Sequence, residues 1–81
     1  MTEQEAMLRA GEQRADHRVP AGWETLAAER RWIELPEGPA GQPAPVRDLL
    51  AWVVRYGDEM RWVDLAVDDA TGRVVRVERS R

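Results

Sequence analysis

Cysteine, lysine, asparagine and phenylalanine are all missing from this 81-residue chain, and histidine and tyrosine occur once each. Without cysteine there is no disulfide framework and no cysteine-based zinc site. The single histidine, His17, excludes multi-histidine metal sites and histidine-pair catalysis. No apolar run approaches the roughly 18 residues of a membrane span. The start, Met1-Thr2-Glu3-Gln4-Glu5, is acidic where an export signal would be basic and then apolar. The expectation is a soluble protein of a reducing, cytoplasmic compartment with no membrane association. With lysine absent, twelve arginines carry all the positive charge against fifteen acidic residues, for a net charge of −3. A GC-rich genome accounts for that arginine bias, so it carries no binding argument. The acidic balance argues against a general nucleic-acid binder, whose affinity rests on a basic face, but leaves room for a local basic strip.

The length predicts a single domain, 1–81, that buries a limited share of its surface. Its organising stretch is 45–79. Val46, Leu49, Leu50, Val53 and Val54 follow the i, i+3, i+4 spacing of a helix, with Trp52 and Tyr56 on one flank. Pro45 suits a first helical turn, and Gly57 suits a left-handed stop. A central helix over 46–56 is therefore expected, with Leu50 and Val53 buried. A β-hairpin follows, its strands 61–67 and 73–79 joined by Asp68-Asp69-Ala70-Thr71-Gly72, in which Asp bonds local backbone and Gly supplies positive φ. Val63, Leu65 and Val67 share one face, with Val75 and Val77 opposite them.

Upstream, Thr2 and Glu5 form a capping box for a helix over 2–18. That helix is poor in apolar area and has Gly11 at its middle, so it is left to fray or to dock on a partner. Met7 and Leu8 are its candidates for contact. Trp23, Leu26, Ala27 and Arg30 suggest a second short helix, and Ile33 and Leu35 alternate with Trp32 and Glu34 as a short strand over 31–35. Residues 36–45 hold four of the five prolines and read as a semi-extended loop. The fold class expected is α+β. It comprises a three-stranded, mostly antiparallel sheet, the central helix on its Val63/Leu65/Val67 face, and one or two N-terminal helices. Strand 31–35 is placed beside strand 73–79.

Chemistry-bearing patterns are few. No phosphate loop, nucleophile elbow, zinc-protease helix or calcium loop is present, so no enzymatic activity, cofactor or metal is expected. Asp68 and Asp69 are turn residues rather than an acid/base pair, whose members need environments that separate their pKa values. Asp64 with those two matches no cation loop. His17 reads as a cation near a helix C-terminus. Trp23 and Trp52 belong to apolar stripes and are expected in the core. Trp32 and Trp62 fall on the strand parity opposite the best core residues. They are expected to share one side of the sheet with Arg76 nearby, covered by residues 2–30 or by another chain.

The run Val63-Asp64-Leu65-Ala66-Val67-Asp68-Asp69-Ala70-Thr71-Gly72-Arg73-Val74-Val75-Arg76-Val77-Glu78 resembles the closing hairpin of PepSY-type domains, small modules often associated with inhibiting or regulating peptidases. The chain departs from that pattern upstream, where the 46–56 segment runs almost directly into the hairpin. The functional expectation is a protein-binding module acting as regulator, inhibitor or accessory subunit. Its partner would be another protein or itself, as a homo-oligomer, through Trp32, Trp62, Arg76, Met7 and Leu8. The alternative is nucleic-acid binding through Trp62 and Arg73, Arg76, Arg79 and Arg81, by stacking and phosphate contact.

Overall fold

The structure, a computed structural model, describes residues 1–36 and 45–81. In chain order these residues form helix α1 (Glu3–Gln13) and strands β1 (Thr25–Pro36), β2 (Val46–Gly57), β3 (Trp62–Asp68) and β4 (Val74–Arg79). The strands make an antiparallel sheet in the order β1-β2-β3-β4, each beside its neighbour in sequence. The fold class is α+β, as expected. Among the described residues the sheet has four strands rather than three, and the helix is N-terminal rather than central.

The expected helix over 46–56 is the long strand β2. Its apolar residues satisfy helical spacing because β2 is buried on both faces. Trp52, Val54 and Tyr56 pack on the α1 side, and Ala51 and Val53 on the other. A strand covered on both sides reads as a continuous apolar run, which spacing alone cannot separate from a buried helix. The β-branched and aromatic content of 52–56 suits the pleated strand better. The expected second helix over 23–30 is likewise absent: Thr25–Pro36 is one strand, and it absorbs the short strand expected at 31–35. That strand lies beside β2, from Thr25 opposite Tyr56 to Pro36 opposite Val46, and not beside β4. The Pro/Gly-rich loop expected at 36–45 lies, apart from its two end residues, outside the described residues.

Thr2 caps α1 as its spacing with Glu5 implied, its Oγ1 accepting from the Glu5 N–H at 3.1 Å. The helix ends at Gln13 rather than near 18, and turns follow. Its thin apolar content has a packing reason. Ala6 and Ala10 are both 0% exposed, and such small residues let the helix lie close over large side chains. Those side chains are Tyr56, Leu65, Val54 and Val67, the largest fully buried ones. The helix on the Val63/Leu65/Val67 face is thus α1 and not the expected 46–56 helix, so the N-terminal segment covers this side of the sheet rather than the side of Trp62.

Two side chains fasten that layer. The Gln13 amide donates to the Gly72 carbonyl and accepts from the Val74 N–H, both at 2.8 Å, so it pairs with the hairpin as a strand peptide would. The Arg14 guanidinium donates to the Pro20 and Trp23 carbonyls, both at 2.6 Å, and lies 4.4 Å from the centre of the Tyr56 ring. Burial is the main reason the Tyr56 hydroxyl is pushed above its ordinary pKa.

The β3–β4 turn has the expected chemistry. Asp68 Oδ1 accepts from the Ala70 N–H at 2.9 Å, and Gly72 has a φ of 75°. Val77 lies opposite Leu65, but a bulge at Ala66/Val67 sends Val75 to the other face, where it joins Ile33, Ala51, Val53 and Ala66.

Gly57 has the expected positive φ, 112°, though it ends a strand rather than a helix. A Cβ there would collide with the Arg61 carbonyl oxygen and lie 2.9 Å from the Trp23 ring. Asp58 completes the turn, its Oδ1 accepting from the Met60 and Arg61 N–H groups at 2.8 Å. Those bonds hold its carboxyl below the ordinary range. Gly57→Val adds both backbone strain and a clash, and is expected to cost roughly 3 kcal/mol or more. Urea unfolding checks this, and an unchanged midpoint would contradict the turn geometry.

Candidate functional site

β3 pairs with β2 only over 51–57, so residues 46–50 and their β1 partners extend past β3 as a two-stranded arm. The arm's two sides differ. On one side Ile33 is buried, and Leu35 and Leu49 pack with it against Ala51, Val53, Ala66 and Val75. On the other side, which continues the α1 face, Trp32 lies opposite Leu50, Glu34 opposite Asp48, and Pro36 opposite Val46. Trp32 is 68% exposed there and Val46 57%. Leu50, expected to be buried, is only half-buried, whereas Val53 is buried as expected. Arg30 extends the same row toward α1, 5.8 Å from the centre of the Trp52 ring. Among the described residues nothing pairs with the outer edge of β1, so alternate N–H and C=O groups along it point outward.

Trp62 lies on the opposite side of the sheet. It pairs with Gly57, and the Arg55 guanidinium stacks 3.9 Å from its ring centre. Arg55 also forks onto Asp64, directly opposite it, with contacts of 2.7 and 2.9 Å. That bond chiefly strengthens the hold of Arg55 on its proton. Asp64 is 5% exposed, so its charge needs this partner. Arg76, also on this side, is half-buried and pairs with Glu78 at 3.2 Å.

A third feature sits where β3 begins and β4 ends. Trp23, Arg61, Trp62, Val63, Arg79 and the two residues after it line an open groove of about 330 Å³. Arg79 is anchored by donating to the His17 carbonyl. His17 therefore lies in the turn after α1, away from the helix C-terminus expected for it.

The expected site residues are not brought together. Trp32 and Trp62 were expected on one side of the sheet, yet they occupy opposite sides. The physical reason is that the sheet has two apolar faces, and Ile33/Leu35 and Val63/Leu65/Val67 serve different clusters. Leu8 is exposed on α1 and Met7 is half-buried. Trp23 and Trp52 pack against the α1-side core, as expected. The Trp52 Nε1 donates to Asp69 Oδ1 at 2.9 Å, and the Met1 ammonium contacts the same oxygen at 3.1 Å. The ammonium is the main cause, with the Trp52 bond adding, of an Asp69 carboxyl below the ordinary range. The Arg55–Asp64 pair was not foreseen. Its one signal is symmetry, since both residues stand three positions outside the 58–61 turn.

Among the described residues no cluster of histidine, cysteine or carboxylate side chains could hold a metal ion, and no helix is long and apolar enough to cross a membrane. No protein-family model, no curated protein and no solved structure matches the chain.

Arg55→Ala removes the ionic partner of Asp64 and, because Arg55 is itself 37% exposed, is expected to destabilise by about 2 kcal/mol, less than for a fully buried pair. Denaturant unfolding reads this directly. A loss below about 1 kcal/mol would mean water already satisfies that carboxylate.

Proposed function

We propose that this chain is a small protein-binding module, acting as a regulator, inhibitor or accessory subunit, that engages its partner along the outer edge of β1 with Trp32 as the anchor. The observation that carries the reading is a tryptophan 68% exposed on an edge strand of 12 residues. Exposed tryptophans are over-represented among residues that dominate protein interfaces, and an open edge offers backbone hydrogen bonds to an added strand. Charged residues on an edge ordinarily stop indiscriminate pairing. Glu29, Arg30, Arg31 and Glu34 would therefore make this edge selective for a partner of matching charge.

Site-directed photo-crosslinking in the native cell tests the reading. A photoreactive group at position 32 is expected to give adducts with a protein chain. The same group at position 12, on the exposed part of α1, is expected to give none. Equal labelling from both positions would remove β1 from the functional account.

The basic groove favours a second reading, single-stranded nucleic acid stacked on Trp62 with phosphates on Arg61 and the C-terminal arginines. Binding of an oligothymidylate should then weaken steeply with salt. Arg61→Ser should lower the slope of log affinity against log salt by roughly 0.7. No binding at low salt would discard it.

A further inference from the structure

We infer that the partner at the β1 edge is a second copy of this chain, the two β1 strands pairing antiparallel about a two-fold axis with Trp32 opposite Trp32. The inference rests on the β1 edge being the interaction surface, and it adds the occupant and the register.

Symmetry narrows the choice. A two-fold axis perpendicular to the sheet keeps the faces continuous, because directly opposed residues of an antiparallel pair share a face. Opposed positions must then sum to an even number, so one residue always faces its own copy. Centring the axis on Glu29, Arg30 or Arg31 sets like charges directly against each other, which is destabilising. Centring it on Trp32 opposes Arg30 of each copy to Glu34 of the other, two complementary pairs on the same face as the tryptophans. Centring it on Ile33 opposes each Trp32 to Glu34 and forms no ion pair. The Trp32-centred register therefore combines opposite charges with no like-charged pair.

A separate observation points the same way. Within one chain Glu34 lies directly opposite Asp48 on β2, two carboxylates on one face of the arm. Among the described residues neither has an ion-pair partner. Arg30 of a second copy would arrive on the free side of Glu34 and relieve that repulsion. The opposed tryptophans, each largely exposed in the single chain, would cover one another as a cross-strand aromatic pair. The paired run, 28–36 of each copy, would join two sheets into one.

Charge reversal tests both partner and register. Arg30→Glu opposes acids in both pairs and Glu34→Arg opposes bases, so each variant alone is expected to dimerise at least tenfold more weakly than the natural chain. Mixed in equal amounts, the two variants restore both complementary pairs and are expected to form a one-to-one heterodimer in sedimentation. A melt of each variant guards against loss of folding, since Arg30 also lies over Trp52. Disulfide trapping gives a second readout in a chain that has no cysteine of its own. Arg30→Cys mixed with Glu34→Cys should oxidise to a covalent heterodimer, and neither should do so alone. A natural chain that stays monomeric up to millimolar concentration, or variants that mix without associating, would overturn the inference. Photo-crosslinks from position 32 to a different protein would in that case leave the protein-binding reading standing. Their absence would remove both.

Discussion

β2 contributes buried side chains to both faces of the sheet, Val54 and Tyr56 to one and Ala51 and Val53 to the other, and every other element is positioned by that two-sided burial. α1 and the turn after it cover the first face through Ala10, Val19 and Trp23. On the second face Ile33, Leu35 and Leu49 from the arm pack with Ala66 and Val75. A chain of this length has few residues with which to build two apolar layers. Here each layer borrows from the same central strand, and the helix meets it with alanines that bring it close.

The polar groups between these layers are satisfied with little redundancy. Among the described residues no buried side-chain nitrogen or oxygen lacks a hydrogen-bond partner. Gln13 substitutes for a strand at the β3–β4 turn, Arg14 holds the segment after α1, and Arg55 neutralises a nearly buried Asp64 while shielding one face of Trp62. Arginine suits these places because its planar fork can bond a carboxylate twice and stack on a ring at once, which an ammonium cannot do. Arg14 and Arg55 are thus used structurally, while Arg30 and Arg31 stand exposed on β1 and Arg61 at the groove by Trp62.

Three of the four tryptophans are accounted for by the fold. Trp23 closes over Gly57, Trp52 donates to Asp69, and Trp62 is stacked by Arg55. Trp32 alone has no such partner among the described contacts, and it sits where the sheet stops being three strands wide. That contrast separates an aromatic used for packing from one available to another surface.

Local signals in the sequence were sufficient for local structure. Thr2 with Glu5 marked the start of α1, Asp68 to Gly72 marked the hairpin turn, Gly57 marked a positive φ, and the α+β class followed. In each case the physics is complete within a few residues: a hydroxyl reaching a free N–H, or a glycine without a Cβ. The identity of 46–57 was not legible, because a strand buried on both sides and a buried helix present the same apolar run. Nor was the side on which Trp32 and Trp62 fall. Parity orders side chains within one strand, but which parity faces which layer depends on pairing and bulges, and these are decided by contacts between distant residues. The candidate surface shares that dependence. Trp32 was legible as an outlier from its parity, whereas its exposure on a projecting arm follows from β3 stopping short at Asp68, which only the tertiary structure decides.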